Sequence, residues 1–234
     1  MWLHGFTQTR RSAHEFRTIL AGTYEVLTID LPGHGENASV TASLEETADL
    51  LVAALPDEPF TLAGYSFGAR VALHVALAYP ERLTRLVLFG ATRGIEDPSD
   101  RSQRRQHDDL LASRIELIGV EQFLDEWLAQ PLFSSLAPDP RERAARSHDP
   151  HGLAQSLRHA GTGTQTWLGE RLGSLDVDTL ALAGSLDIKF AREAAAIADS
   201  VPRGRFELVP GAGHAAHFER PAQAAALIDL AQPQ

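Results

Sequence analysis

Gly64-Tyr65-Ser66-Phe67-Gly68 follows the apolar run Phe60-Thr61-Leu62-Ala63 and opens a stretch rich in Ala, Val and Leu. The pattern G-x-S-x-G is short and permissive on its own, so its setting carries the reading. Where a strand turns sharply into a helix, a serine is held in a strained backbone conformation with its hydroxyl standing clear, and flanking glycines remove side chains that would collide. The stretch therefore predicts a nucleophile elbow. The rest of the chain must then supply a base and a group to orient it.

Outward from the elbow, strands and helices alternate. Met1-Trp2-Leu3 reads as the end of a buried strand entering the His4-Gly5-Phe6 turn, 12–20 as a short helix and 24–30 as a strand ending in the loop Leu31-Pro32-Gly33-His34-Gly35. Ser43 with Glu46 three residues later makes a capping box for a helix reaching about Leu55. After the elbow comes a helix stopping before Pro80, then a strand over 83–89. From Thr92 to about Leu172 no strand is expected; the stretch is polar, rich in arginine and helical by period, with breaks at Pro131, Pro138, Pro140, Gly161 and Gly163. Sheet-like sequence resumes over 179–184, followed by a helix over 192–200, a strand over 205–209, the loop Pro210-Gly211-Ala212-Gly213-His214 and a closing helix from Pro221 to about Ala231. Alternation at this spacing implies an α/β fold with a mostly parallel sheet and helices on both faces. The expected division is a core over 1–91 and 174–234 with a helical cap inserted over 92–173.

Composition narrows the function. At 234 residues the chain suits one domain with an insertion, and its formal net charge of −10 disfavours binding to nucleic acid. The absence of cysteine excludes disulfides and thiolate metal sites and agrees with a reducing cytoplasm. With no bilayer-length apolar stretch and no signal-peptide order at the N-terminus, the expectation is a soluble cytoplasmic protein without membrane insertion. No cofactor and no metal are implied, since there is no ligand cluster and no phosphate-binding glycine loop.

A serine doing nucleophilic or basic chemistry needs an imidazole to take its proton and a carboxylate to set that imidazole's tautomer; in this fold they follow in the order Ser, Asp, His. Asp187, just past the strand over 179–184, and His214, in the glycine-bounded loop after the last strand, complete that order. Both fall at the carboxyl ends of strands, where open parallel sheets assemble their sites. The backbone N–H groups of Phe67 and Phe6 are the candidate oxyanion donors. His4, His34 and His217 read equally as site residues or as solvated or capping ones.

Leu3-His4-Gly5-Phe6, Asp30-Leu31-Pro32-Gly33-His34-Gly35, Gly64-Tyr65-Ser66 and Gly211-Ala212-Gly213-His214 together resemble the α/β-hydrolase superfamily along the whole chain. Finer features resemble the MenH family, the 2-succinyl-6-hydroxy-2,4-cyclohexadiene-1-carboxylate synthases of menaquinone biosynthesis. These are Ser66-Phe67-Gly68-Ala69-Arg70, the segment 101–108 containing Arg104, Trp127-Leu128-Ala129-Gln130-Pro131-Leu132-Phe133, Arg146, Asp187-Ile188-Lys189-Phe190, and His214-Ala215-Ala216-His217 before Glu219 and Pro221. The resemblance implies a lyase on a hydrolase fold, in which Ser66, helped by His214 and Asp187, takes a ring proton and pyruvate is expelled without addition of water. It also implies substrate contacts from Arg70, Arg104, Arg146, Tyr65 and Trp127. A small substrate with three carboxylates calls for fixed guanidinium groups, which bind carboxylates in two-point geometry. Family members carry sequence ahead of the first motif, so N-terminal strands shortened or missing are expected here.

Alternatives stay open at this stage. Arg104 and Arg146 lie among many arginines of the cap, Trp127 could serve only packing, and Lys189 reads as a substrate contact or a surface charge. The same serine, histidine and aspartate would serve a hydrolase of an ester or carbon–carbon bond, and a non-catalytic small-molecule binder could use the same fold.

Overall fold

A computed structural model describes residues 1–55 and 57–230. Five strands form one parallel sheet in sequence order: β1 (Trp2–Leu3), β2 (Phe60–Tyr65), β3 (Leu83–Phe89), β4 (Thr179–Gly184) and β5 (Gly204–Val209). The register sets Tyr65 opposite Phe89 and Gly184 opposite Val209, so the carboxyl ends of β2, β3, β4 and β5 lie along one edge.

The apolar runs of β2, β3 and β4 are largely buried on both faces, as a covered parallel sheet requires, whereas the edge strand β5 buries only Val209 fully. Alternate side chains divide between two cores. Leu62, Leu86, Leu88 and Ala181 face α2 (Leu44–Ala53), α3 (Phe67–Ala78) and α7 (Ile188–Ser200). Ala63, Val87, Phe89, Leu180 and Leu182 face α1 (His14–Leu20), α8 (Ala216–Glu219) and α9 (Pro221–Leu230), with Trp2, Phe16 and Ile228. Helix α3 is buried from Phe67 to Ala76, and apart from Arg70 and His74 every side chain in that stretch is apolar. The capping box of α2 forms as its sequence specifies: the Ser43 side chain accepts from the Glu46 amide, and the Glu46 carboxylate accepts from the Ser43 amide.

Between β3 and β4 the described residues hold no strand. They form α4 (Pro98–Leu128), broken at Gly119 where φ is 76°, then α5 (Pro140–Ala144) and α6 (Pro150–Ala160). Helices α4 and α6 pack around their own core of Ile115, Phe123, Leu124, Leu153 and Leu157.

Two local expectations are corrected. The stretch 24–30 forms no strand; Thr28 makes one bridge to Trp2, and the Trp2 amide donates to Leu27 O at 2.8 Å. Its sheet neighbour β1 is two residues long, so a full ladder has nothing to pair with. Helix α7 begins at Ile188 rather than Arg192, because the Asp187 side chain caps it by accepting from the Phe190 amide at 3.2 Å. Ala231, the expected end of the last helix, lies outside the described residues.

Candidate active site

Ser66 follows β2 directly and has φ 51° and ψ −105°, outside the regions open to most side chains. That geometry is imposed by close packing of the strand against the helix that follows. A Cβ on Gly64 would lie 2.4 Å from Gly68 O, and one on Gly68 would lie 2.4 Å from Leu3 O. The Ser66 amide donates to Phe89 O at 2.8 Å, tying the turn to the neighbouring strand.

The three loops after β2, β4 and β5 bring Ser66, Asp187 and His214 together. His214 Nδ1 lies 2.8 Å from Asp187 Oδ2 and Nε2 lies 3.2 Å from Ser66 Oγ. A carboxylate only accepts, so Nδ1 carries the proton and Nε2 offers its lone pair to the serine hydroxyl. Asp187 and His214 are both buried, and Phe190, Tyr65 and Phe133 surround the imidazole at ring distances of 4.4, 5.3 and 6.1 Å. Asp187 also caps α7, so one carboxylate anchors a helix with one oxygen and the histidine with the other.

Phe67 opens α3, where an amide has no acceptor within the helix. Phe6 stands in the turn Gly5-Phe6-Thr7-Gln8, closed by a hydrogen bond from the Gln8 amide to Gly5 O at 3.1 Å. Two buried histidines hold this turn, which overturns the solvated or capping reading of both. His4 Nδ1–H donates to Gly5 O at 2.9 Å while Nε2 accepts from the Leu31 amide at 3.0 Å. His34 Nδ1–H donates to Pro32 O at 2.9 Å while Nε2 accepts from the Thr7 amide at 3.3 Å. Each ring is therefore neutral and fixed in tautomer. Burial pushes the pKa of His4 down to about 4 and that of His34 down to about 3. His217 is also fully buried, among Trp2, Tyr65 and Phe218, and neither ring nitrogen has a hydrogen-bond partner among the described residues. Burial holds its pKa well below the ordinary value; it is a packing residue, neither solvated nor capping.

Ser66 and His214 open onto a cavity of about 500 Å³ lined also by Phe6, Phe67, Arg70, Arg104, Trp127 and Lys189. This volume suits a small organic ligand. A larger cavity of about 750 Å³ touches neither Ser66 nor His214, although Arg146 lines it. Arg70 is buried one turn beyond the elbow, and its NH1 donates to Ala160 O at 2.9 Å at the end of α6. Burial lowers its pKa to about 10, with Arg104 adding to the effect and Asp108 opposing it, so it stays cationic at neutral pH. Arg104 comes from α4 and is held by Asp108 at 2.7 Å. Lys189 is exposed at the rim, with Nζ 5.3 Å from the Phe190 ring. Trp127 packs on Phe123 and Phe6 and also lines the cavity, so packing and site roles coincide.

Arg146 is placed differently from Arg70 and Arg104. It is buried, its NH1 donates to Thr7 Oγ1, and with Tyr65 and Gln8 it borders a separate pocket of about 20 Å³ at Ser66, room for no more than a water. Thr7 and Gln8 were not singled out by sequence, and Phe133 and Phe190, though within motifs quoted for the resemblance, were assigned no role. Thr7 gives no local signal, since a β-branched residue is a poor candidate for its φ of 68°. The Asp187 cap was missed because the helix was expected to start at Arg192; the signal available was an aspartate directly before Ile188-Lys189-Phe190.

Comparison with known proteins agrees with this geometry. The alpha/beta hydrolase family pattern matches residues 1–227. A putative 2-succinyl-6-hydroxy-2,4-cyclohexadiene-1-carboxylate synthase from Bacillus subtilis (strain 168) is 36% identical over 94% of this chain and 84% of its own. Among solved structures, MenH from S. aureus superposes with a TM-score of 0.91 at 34% identity, covering 98% of this chain and 91% of that one. A thermophilic esterase from Thermogutta terrifontis superposes with a TM-score of 0.82 at 26% identity, over 98% of this chain and 87% of its own.

Proposed function

The chain belongs to the alpha/beta hydrolase family and, within it, to the 2-succinyl-6-hydroxy-2,4-cyclohexadiene-1-carboxylate synthases, and from that premise we propose that it is the pyruvate-eliminating lyase of menaquinone biosynthesis. Its substrate is then 2-succinyl-5-enolpyruvyl-6-hydroxy-3-cyclohexene-1-carboxylate. Ser66, its proton drawn by His214 with Asp187 behind, takes a ring proton. The electron pair of that C–H bond forms one ring double bond, the double bond already in the ring shifts by one position, the bond to the enolpyruvyl oxygen breaks, and the leaving enolate takes up a proton to become pyruvate. The amides of Phe67 and Phe6 hold the negative charge that grows on the carbonyl beside the deprotonated carbon.

One observation carries the lyase reading over a hydrolase reading: the cavity at Ser66 contains Arg70 and Arg104, with Lys189 at its rim. The buried Arg70 guanidinium is costly to desolvate and is supported among the described residues by a carbonyl, a glutamine, the Phe67 ring and the nearby charge of Asp108, so an anionic substrate would offset much of that cost. A neutral ester would leave these cations without a role. Tyr65 and Trp127 complete the walls around Ser66. A small polycarboxylate is the partner this reading requires, and the cysteine-free chain is in keeping with a cytoplasmic setting. No helix among the described residues is long and apolar enough to cross a membrane.

The test is release of pyruvate from the enolpyruvyl cyclohexene substrate. Ser66→Ala should abolish it, and Arg70→Met should raise KM by about 10- to 150-fold, the worth of one charge-assisted hydrogen bond at ~1.5–3 kcal/mol. Rapid cleavage of simple aryl esters, with the cyclohexene substrate left unchanged, would overturn the lyase reading in favour of the hydrolase one.

A further inference from the structure

The proposed reaction leaves one buried carboxylate unused. Asp108 is 1% exposed on α4, one turn beyond Arg104, so the two side chains share a helix face. A charge so buried persists only where hydrogen bonds and opposite charge surround it. Asp108 Oδ1 accepts from Arg104 Nε at 2.7 Å, and Oδ2 accepts from the Gly163 amide at 2.9 Å, in the turn that follows α6.

That turn is shaped around the carboxylate. A Cβ on Gly161 would stand 2.6 Å from Asp108 Oδ2, and one on Gly163 would collide with the backbone of Arg105. The two glycines, which break the helical pattern in the sequence, thus let the chain after α6 close on α4 at Asp108. The residue before Gly161 is Ala160, whose carbonyl accepts from the Arg70 guanidinium at 2.9 Å. Asp108 is therefore tied to Arg104 directly and, through the turn, to the carbonyl that holds Arg70. Its charge also favours the cationic form of Arg70, against the effects of burial and of Arg104.

These ties leave defined parts of each guanidinium for a ligand. Asp108 occupies Arg104 Nε, and the two terminal nitrogens of Arg104 have no hydrogen-bond partner among the described residues. A carboxylate would meet them end-on, with two parallel bonds. The Arg104 side chain is 34% exposed and rich in rotamers, so fixing it in advance lowers the entropy lost when a ligand binds.

We infer that Asp108 is the positioning residue of the anion pocket: it aims Arg104 through Nε and seats Arg70 through the Gly161–Gly163 turn, setting two arginines from different helices before the ligand arrives. This deepens the lyase reading and rests on it for its consequence in KM. It also accounts for a carboxylate, the wrong sign for contact with an anion, buried beside a cavity lined by arginines.

Asp108→Asn is close in shape and offers one acceptor oxygen in place of two. With that oxygen on either the Gly163 amide or Arg104 Nε, the side-chain NH2 opposes the other donor. KM for pyruvate release should rise about tenfold, the upper end of what immobilising one such side chain costs, with kcat within about threefold. In the Arg104→Met background the same change should raise KM by no more than about threefold, the share that passes through Arg70. In protein labelled with ¹⁵N-arginine, the Arg104 Nε–H resonance, assigned by its absence from Arg104→Met, should exchange slowly and be lost from Asp108→Asn. KM within twofold of the native value, equal rises in both backgrounds, or a loss residing in kcat would overturn the inference. So would a lowered thermal midpoint with KM and the resonance unchanged. Should Asp108→Asn fail to fold, the native protein still decides, because an Arg104 Nε–H exchanging as fast as that of the exposed Arg11 would also overturn it. Were the unmodified protein to release no pyruvate, the lyase reading alone would fail, and the resonance and its loss in Asp108→Asn would still decide the tie.

Discussion

Replacing Asp187 by asparagine separates two tasks that one side chain performs. Asp187 Oδ1 accepts from the Phe190 amide at 3.2 Å and caps α7, while Oδ2 accepts from His214 Nδ1–H at 2.8 Å. Asparagine retains one acceptor oxygen. With that oxygen on the Phe190 amide, the cap is preserved, since asparagine and aspartate cap about equally well. The side-chain NH2 then faces His214 Nδ1, and two donors cannot share that position. The imidazole must move its proton to Nε2, which points at Ser66 Oγ 3.2 Å away and can no longer accept. The charge that would stabilise the imidazolium is lost at the same time. A serine–histidine–aspartate system so altered loses about 10⁴ in kcat, or about 5.5 kcal/mol of transition-state stabilisation. The assay is pyruvate release followed by coupled NADH oxidation through lactate dehydrogenase, beside a thermal melt to show that α7 and the fold survive. A loss below tenfold in a variant that melts normally would refute the assignment of His214 as the proton acceptor of Ser66.

The strain at Ser66 and the neutral histidines of the Phe6 turn yield two further expectations. Ser66→Gly should abolish activity and raise stability by about 1 kcal/mol, as relief of ~1–3 kcal/mol of backbone strain outweighs the ~0.5–1 kcal/mol entropic cost of glycine; a lowered urea midpoint would contradict this. His4 and His34 have pKa values pushed down to about 4 and about 3 by burial, against about 6.5 in the unfolded chain. Between those limits the unfolded chain binds protons that the folded one does not, so their contribution is full above pH 6.5 and falls as the pH drops toward 4. By pH 5 the loss is about 2 kcal/mol for each histidine, and urea unfolding that is unchanged between pH 7 and pH 5 would refute the buried neutral tautomers.

Short-range features determined the architecture and the identity of the central residues. Largely apolar runs marked β2, β3 and β4 because strands covered on both faces need little polar side, and Ser43 with Glu46 specified the start of α2 through bonds spanning three residues. Ser66, Asp187 and His214 were legible because each follows a strand, and strand ends of a parallel sheet share an edge whatever the loop lengths. The stretch 24–30 was misread as a strand because its apolar content is local whereas a ladder needs a partner of matching length.

What only the tertiary structure decided is how residues far apart in the chain divide the work around Ser66. No periodicity distinguishes Arg104 from Arg146, yet Asp108 holds one in the 500 Å³ cavity and Thr7 holds the other at a smaller pocket that Ser66 also lines. Nor does composition reveal that His4 and His34 are neutral supports of a turn, since tautomer and pKa follow from burial and from amides 27 residues away. The physical reason is range. Backbone preference and hydrophobic alternation act over a few residues and are written locally, whereas the direction of a guanidinium and the protonation of an imidazole depend on which distant groups the packed chain sets within hydrogen-bonding distance.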